Sequence, residues 1–223
     1  MTGRCVICVF AKPPVPGRVK TRLAVKVGDD QAAALARAFL RDTWKLVSGL
    51  RWATTILATT EPAQGVFGLP GRPTFWLQGD GDLGKRVERV ARRGLSEADF
   101  VLLVGADSPG LPRRLIVEAR TMLSHVDAVL GPCVDGGFYL LGLRRCPVGL
   151  LDDLPWSART TFAAVLKRLE QHHMGVAVLD RWFDVDTPED LDRLAAMIER
   201  GEIHAEETAG VLGIDSPGRV SCA

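Results

Sequence analysis

The sequence predicts an α/β protein built on a largely parallel sheet with helices on both faces. Three observations carry this. Short apolar runs alternate with longer stretches of helical periodicity along the 223 residues. Several runs are apolar throughout rather than at every second position, as strands covered on both faces are. No internal repeat or long linker interrupts the alternation, so successive elements belong together. The length suits one such domain with a substantial core. That domain is expected over 1–200, with 201–223 a loosely packed C-terminal tail or an arm used by a partner subunit.

The first strand, 5–10 (CVICVF), runs into the loop PPVPGRVKTRL at 13–23. A helix at 30–50, beginning on an acidic pair, sets Ala32, Leu35, Phe39 and Leu46 on one side. Strands at 54–58 and 75–77 precede a helix at 83–95 with Leu83, Val87, Val90 and Ala91 in its stripe. A strand at 100–104 precedes a helix at 113–123 that repeats at Leu115, Ile116, Ala119 and Met122. The runs 128–130 and 138–143 flank Asp135–Gly136, a hairpin signal that departs from strict βαβ winding. A helix at 160–172, with Phe162, Val165, Leu166 and Leu169, leads to a late strand at 176–179. The last helix has the clearest start: Thr187 as N-cap, Pro188 in the first turn and Asp190 completing T-x-x-D. Leu191, Leu194 and Ile198 form its buried stripe.

A net charge of +1 gives no general attraction to nucleic acid or to an anionic membrane, so any phosphate site is local. No run reaches the length of a membrane span, and the opening apolar segment fits a core strand better than a secretory signal. A cytoplasmic protein is expected. The five cysteines are scattered, which argues against a disulfide framework. Cys5 and Cys8 form a C-x-x-C, but inside an apolar run, and read as small core residues.

Four charged segments fall at strand ends, where open α/β sheets place ligands. The first loop carries Lys12, Arg18, Lys20 and Arg22 beside prolines and a glycine. It combines positive charge with close backbone approach, which suits phosphate, and reads equally as solvated surface charge. GADSPGL, 105–111, puts Asp107 past a central strand, either as a ligand for a hard divalent cation or as a turn residue. GPCVDGGFYLLGL, 131–143, offers Asp135 either as the hairpin turn or as a group contacting an acceptor or a metal-bound water. In FDVDTPEDL, 183–191, Asp184 and Asp186 lie two apart on an extended segment and project to one side. Two such carboxylates repel unless a cation or proton lies between them. Gly81, Asp82, Leu83 and Gly84 precede a helix and could wrap a base or ribose through backbone groups, although their spacing is not that of the dinucleotide fingerprint.

PGRVKTRL, GDLGKRV, GADSPGL, GPCVDGGFYLLGL and DVDTPEDL, in this order, resemble the radical-SAM/selenodomain-associated transferase family, a former bacterial domain of unknown function. That family lies within the nucleotide-diphospho-sugar transferase superfamily. The resemblance implies a GT-A-like three-layer α/β/α sandwich with a mostly parallel, mixed sheet, and a nucleotide held with Mg²⁺ or Mn²⁺. It implies that Lys20 and Arg22, with Lys12 and Arg18, hold the nucleotide phosphates. It further implies that Asp107, Asp184 and Asp186 bind metal and that Gly81–Gly84 holds the base. The usual Gly-rich opening that leads to an arginine is replaced here by a Pro-rich one.

The expected activity is metal-dependent transfer using an NTP or an NDP-sugar and an unidentified small-molecule acceptor. In nucleotidyl transfer, Lys20 and Arg22 stabilise the leaving pyrophosphate. In glycosyl transfer, Asp135 takes a proton from the acceptor hydroxyl. The alternative is a catalytically silent nucleotide-binding regulatory module with the same fold. A homodimer is compatible with the sequence; nucleic acid and membrane are not expected partners.

Overall fold

Alternation along the first strand sets the layers. β1 (Cys5–Ala11) sends Cys5, Ile7 and Val9 into one core and Val6 and Cys8 into the other, as the period of two requires. The computed structural model of the protein describes residues 3–62 and 67–215. Around β1 lie β2 (Ala53–Thr59), β3 (Thr74–Leu77), β4 (Phe100–Gly105), β5 (Ala128–Pro132), β6 (Phe138–Leu143) and β7 (Val176–Val178). They form one sheet in the order β3-β2-β1-β4-β6-β5-β7. Only β6 runs against its neighbours, β4 and β5. The Asp-Gly hairpin explains this: Cys133 N–H donates to the Gly137 carbonyl at 3.0 Å across the turn. The sheet is therefore mixed and mostly parallel, as expected.

The first core lies under α2 (Asp29–Ser48) and α4 (Arg113–Met122), which contribute Leu40, Trp44, Val47, Leu115, Ile116 and Ala119. The second lies under α3 (Leu83–Glu97) and α5 (Thr161–Gln171), with Val87, Val90, Ala91, Val165 and Leu169. Cys5 and Cys8 therefore sit on opposite faces of the sheet, buried and unpaired. Burial pushes the Cys5 thiol up to about 12. Each is a core residue, as the apolar run around them predicts.

Two helices escape the sequence patterns. α1 (Thr21–Val27) directly follows the proline-rich loop and has no side-chain cap. α7 (Glu206–Leu212) occupies the segment expected to be loosely packed. This corrects that expectation for residues 201–215: Ile203, Ala205 and Ala209 are buried in a third core with Leu35 and Phe39 of α2 and Leu191, Leu194 and Ile198 of α6 (Pro188–Glu199). Residues 216–223 of the expected tail, Cys222 among them, lie outside the described residues.

The reason α7 holds is remote in sequence. Its N-terminal residue Ala205 offers no side-chain cap, so the Asp42 carboxylate on α2 accepts the Glu207 and Thr208 N–H groups at 2.9 and 3.0 Å and the Thr208 hydroxyl at 2.6 Å. Asp42 thus does from a distance what an N-cap does locally. Replacing it by Ala is expected to cost about 1–2 kcal/mol. Amide exchange should rise over 206–212 while the strands stay protected, measured by hydrogen–deuterium exchange and chemical denaturation.

Candidate functional site

The sheet order places β1 between β2 and β4; the chain leaves β1 toward β2 and leaves β4 toward the opposite edge of the sheet. Phe10 is in register with both Ala58 and Gly105. The loops after β1 and β4 therefore emerge side by side at a topological switch point.

After Ala11 the chain turns sharply, with Val15 N–H donating to Pro13 and Arg18 N–H to Val15. Lys20 then takes a left-handed conformation, φ 47° and ψ 41°, which costs a residue with a Cβ about 1 kcal/mol or more. Its carbonyl accepts the first hydrogen bond of α1, from Ala24 at 2.9 Å. In this setting the Lys20 side chain is only 6% exposed, and its Nζ lies 2.6 Å from Asp107 Oδ1 and 2.8 Å from Asp186 Oδ1. The Phe39 ring lies beneath it, 5.6 Å to the centroid. Burial works against the Lys20 charge, but the two carboxylates outweigh it and raise the ammonium above its ordinary range.

The carboxylates are positioned by backbone. Val185 N–H donates to the Asp107 carbonyl at 2.9 Å, joining the loop after β4 to the segment before α6. The capping box of α6 is formed as the sequence predicts: Thr187 accepts from Asp190 N–H, and Asp190 accepts from Thr187 N–H. Asp190 also accepts the Asp186 N–H at 3.2 Å. Asp107 and Asp186 thus converge on a cation, and in this structure that cation is Lys20.

These groups line a cleft of about 510 Å³. Its wall includes Lys12, Arg18 and Lys20 from the first loop, Thr21 and Arg22 from the start of α1, Asp107 and Asp186, Gln78 from the segment after β3, and Leu83 and Arg86 from α3. Lys12 and Arg22 are exposed, and Arg18 pairs with Glu61. Of the segment 81–84, Leu83 reaches the cleft, whereas the other three residues build its frame. Asp82 is the N-cap of α3, accepting from Lys85 N–H at 2.9 Å. Gly84 packs so closely that a Cβ there would stand 2.3 Å from the Leu151 carbonyl oxygen.

Asp184 and Asp135 take partners other than the Lys20 ammonium. Asp184 accepts hydrogen bonds from the Ser108 hydroxyl and the Cys133 thiol. Burial, opposed by Ser108, aided by the Asp107 charge, and opposed again by Cys133 and Lys20, pushes its carboxyl up to about 6. Asp135 accepts the Gly137 N–H at 2.9 Å and so forms the hairpin turn. Cys133, Asp135 and Asp184 gather ligand atoms within 4.8 Å of one another.

The two groups of donors differ in the cation they suit. Asp107 and Asp186 keep side chains 55% and 44% exposed and supply hard oxygens, the donor type that Mg²⁺ and Mn²⁺ select while retaining waters and phosphates. Around Cys133, burial raises the thiol above its ordinary range, and sulfur is a softer donor than Mg²⁺ and Mn²⁺ select. The residues present fit a divalent cation at Asp107 and Asp186.

Several lining groups carry no signal in the sequence. Gln78 is buried, its amide donating to the Ala58 carbonyl at 2.8 Å. Ser157 enters from the far wall with φ 58°. Arg86 lies inside GDLGKRV but reads there as one more surface cation; in the structure it donates to the Asp82 carbonyl and lines the cleft.

A mixed sheet with its charged loops gathered at the switch point is the architecture of the nucleotidyltransferase and GT-A-like α/β proteins. The chain belongs to the bacterial family described as uncharacterized proteins conserved in bacteria (DUF2064), which its residues 43–158 match. It is similar to the molybdenum cofactor guanylyltransferase of Shewanella sp. (strain ANA-3), 31% identical over 132 residues. That match covers 54% of this chain and 63% of the relative, less than two thirds of its length. A candidate nucleotide-diphospho-sugar transferase from Desulfovibrio desulfuricans G20 superposes with a TM-score of 0.85 at 30% identity, covering 94% of each chain. A Mycobacterium tuberculosis H37Rv protein, solved in complex with manganese, shares the fold at a TM-score of 0.52 and 18% identity, over 86% of this chain and 97% of its own. No helix among the described residues is long and apolar enough to cross a membrane.

Because Asp184 holds its proton more tightly folded than unfolded, its contribution to stability is full below the unfolded pKa near 4 and is lost as pH rises through about 6. Asp184→Asn, which can still accept from Ser108, should therefore gain stability relative to wild type on going from pH 4.5 to pH 7, by about 2 kcal/mol. Urea melts at the two pH values measure this.

Proposed function

We propose that the protein is a metal-dependent, nucleotide-using transferase that works by nucleotidyl transfer to a small-molecule acceptor. The observation that carries this reading is the clamp of Asp107, Lys20 and Asp186 in a cleft whose wall also carries Lys12, Arg18, Arg22 and Arg86. A polyphosphate needs both positive groups and a divalent counter-ion. The likeness to a guanylyltransferase supports the same class of reaction.

In this reading Lys20 and Arg22, with Lys12 and Arg18, bind and orient the triphosphate. Leu83 and the Gly81–Gly84 turn lie beside the base, with Asp82 and Gly84 keeping that turn in place against α3 and the Leu151 carbonyl. A phosphate or carboxylate oxygen of the acceptor attacks the α-phosphorus, and the bond to the leaving pyrophosphate breaks. Lys20 and Arg22 stabilise the charge released onto the pyrophosphate. Asp107 and Asp186 hold the divalent cation, Mg²⁺ or Mn²⁺, which when bound supplies further neutralisation of the phosphoryl oxygens. Asp184 steadies this arrangement from behind through Ser108, the residue next to Asp107.

One observation favours a second reading. The relative that aligns over 94% of both chains is a candidate nucleotide-diphospho-sugar transferase. In glycosyl transfer the same cations hold a diphosphate and Asp135 takes the acceptor proton. The released product separates the two: pyrophosphate for nucleotidyl transfer, a nucleoside diphosphate for glycosyl transfer.

A thermal-shift panel of nucleoside triphosphates and sugar nucleotides, with and without Mg²⁺ or Mn²⁺, tests the class. A ligand at a hundred times its dissociation constant adds about 2.7 kcal/mol, which for a chain of this size is a rise in Tm of about 5 °C or more. Asp107→Asn, which preserves side-chain volume, should abolish the metal-dependent part of that rise. An undiminished metal-dependent shift in folded Asp107→Asn would falsify the cation assignment.

A further inference from the structure

We propose that Lys20 is a stand-in for the divalent cation: its ammonium occupies the carboxylate pair in the metal-free protein and must be exchanged for the metal when nucleotide loads. This deepens the reading above and rests on it. The geometry carries the argument. Lys20 Nζ is 2.6 Å from one oxygen of Asp107 and 2.8 Å from one oxygen of Asp186. An ion coordinated by both carboxylates would lie within a few ångströms of the ammonium, and the repulsion between the two cations sets one against the other.

The pair does not need Lys20 to stay together. Asp107 and the Asp186 segment are joined by the Val185 N–H bond to the Asp107 carbonyl, and Asp186 N–H is held by Asp190. Removing the ammonium therefore leaves two carboxylates still facing each other, a preorganised site with a net charge of −2. With Lys20 in place the net charge is −1, and with a divalent cation it is zero. The metal thus neutralises the pair more completely, but only if the displaced ammonium finds another anion. The same cleft is lined by Lys12, Arg18 and Arg22, so the nearest new anion is a ligand's phosphate. The flexible four-carbon stem of lysine allows the move while the left-handed backbone, fixed by the Ala24 N–H bond, stays put. Metal and polyphosphate then bind cooperatively, each favouring the other, and free metal alone binds weakly.

The test is Mn²⁺ binding without nucleotide, read by the electron paramagnetic resonance signal of free Mn²⁺. Lys20→Met keeps an unbranched side chain one atom shorter and loses the charge. It should bind Mn²⁺ about tenfold or more tighter than wild type, and Lys20→Met/Asp107→Asn should lose that gain. Mn²⁺ should also raise the Tm of Lys20→Met more than that of wild type. If Lys20→Met folds poorly alone, Mn²⁺ should restore the wild-type circular dichroism spectrum. An affinity in Lys20→Met equal to or below that of wild type, or a failure of Mn²⁺ to restore a poorly folded variant, overturns the exchange. Wild type that still shows the Mn²⁺-dependent nucleotide shift would leave the transferase reading standing in that event, whereas loss of that shift would remove the reading itself.

Discussion

Two carboxylates brought together from the middle and the far end of a chain repel, and burial of a lysine without a counter-charge is costly. In this protein each problem is the other's solution. Asp107 and Asp186 give the Lys20 ammonium a reason to lie almost out of solvent, and Lys20 relieves the repulsion between two carboxylates that the Val185–Asp107 backbone bond already brings together. The strained backbone of Lys20 is tolerated because this contact and the start of α1 both depend on it. The clamp lines the cleft together with the loops that meet around it.

The sheet makes such a meeting possible. Because β1 is flanked in parallel by β2 and β4, the first loop and the loop after β4 share one edge. The antiparallel β6 then brings the hairpin at Asp135 to the same end, where Gly136, with φ 97°, lies against the backbone of Arg159. A Cβ at that position would stand 2.1 Å from the Arg159 carbonyl oxygen. Glycine is needed there to dock the hairpin onto the segment leading into α5, so the Asp-Gly signal serves turn and packing together.

Much of this was legible in the chain. The strands were, because continuous apolar runs between helical periodicities have few other interpretations. The start of α6 was, because all the chemistry of a capping box lies within four residues. α1 was not: prolines precede it and no cap announces it. α7 was not either, since the groups that fix it, Asp42 and the third core, lie far away in sequence. Among the site residues, Lys20, Asp107 and Asp186 could each be singled out by type and position, but as separate roles, phosphate binding for one and metal binding for the others. That the ammonium lies between the carboxylates is a fact of tertiary distance that no local pattern encodes. The same holds for Asp184. Its contacts with Ser108 and Cys133 come from distant segments, which its spacing from Asp186 does not predict.

The charge distribution sharpens what the cleft can select. A chain with a net charge of +1 has no long-range pull on anions, so selection must come from groups a few ångströms away. Arg18 is partly satisfied by Glu61, and Lys20 by its two carboxylates. Lys12 and Arg22 are exposed at the same wall. An isolated phosphate meeting this site gains contacts to the exposed cations but cannot repay the loss of Lys20 from Asp107 and Asp186. A polyphosphate accompanied by a divalent cation can do both, because it brings the anion that Lys20 needs and the cation that the carboxylates need. In the exchange proposed above, the clamp would discriminate between ligands by requiring two opposite charges to arrive together.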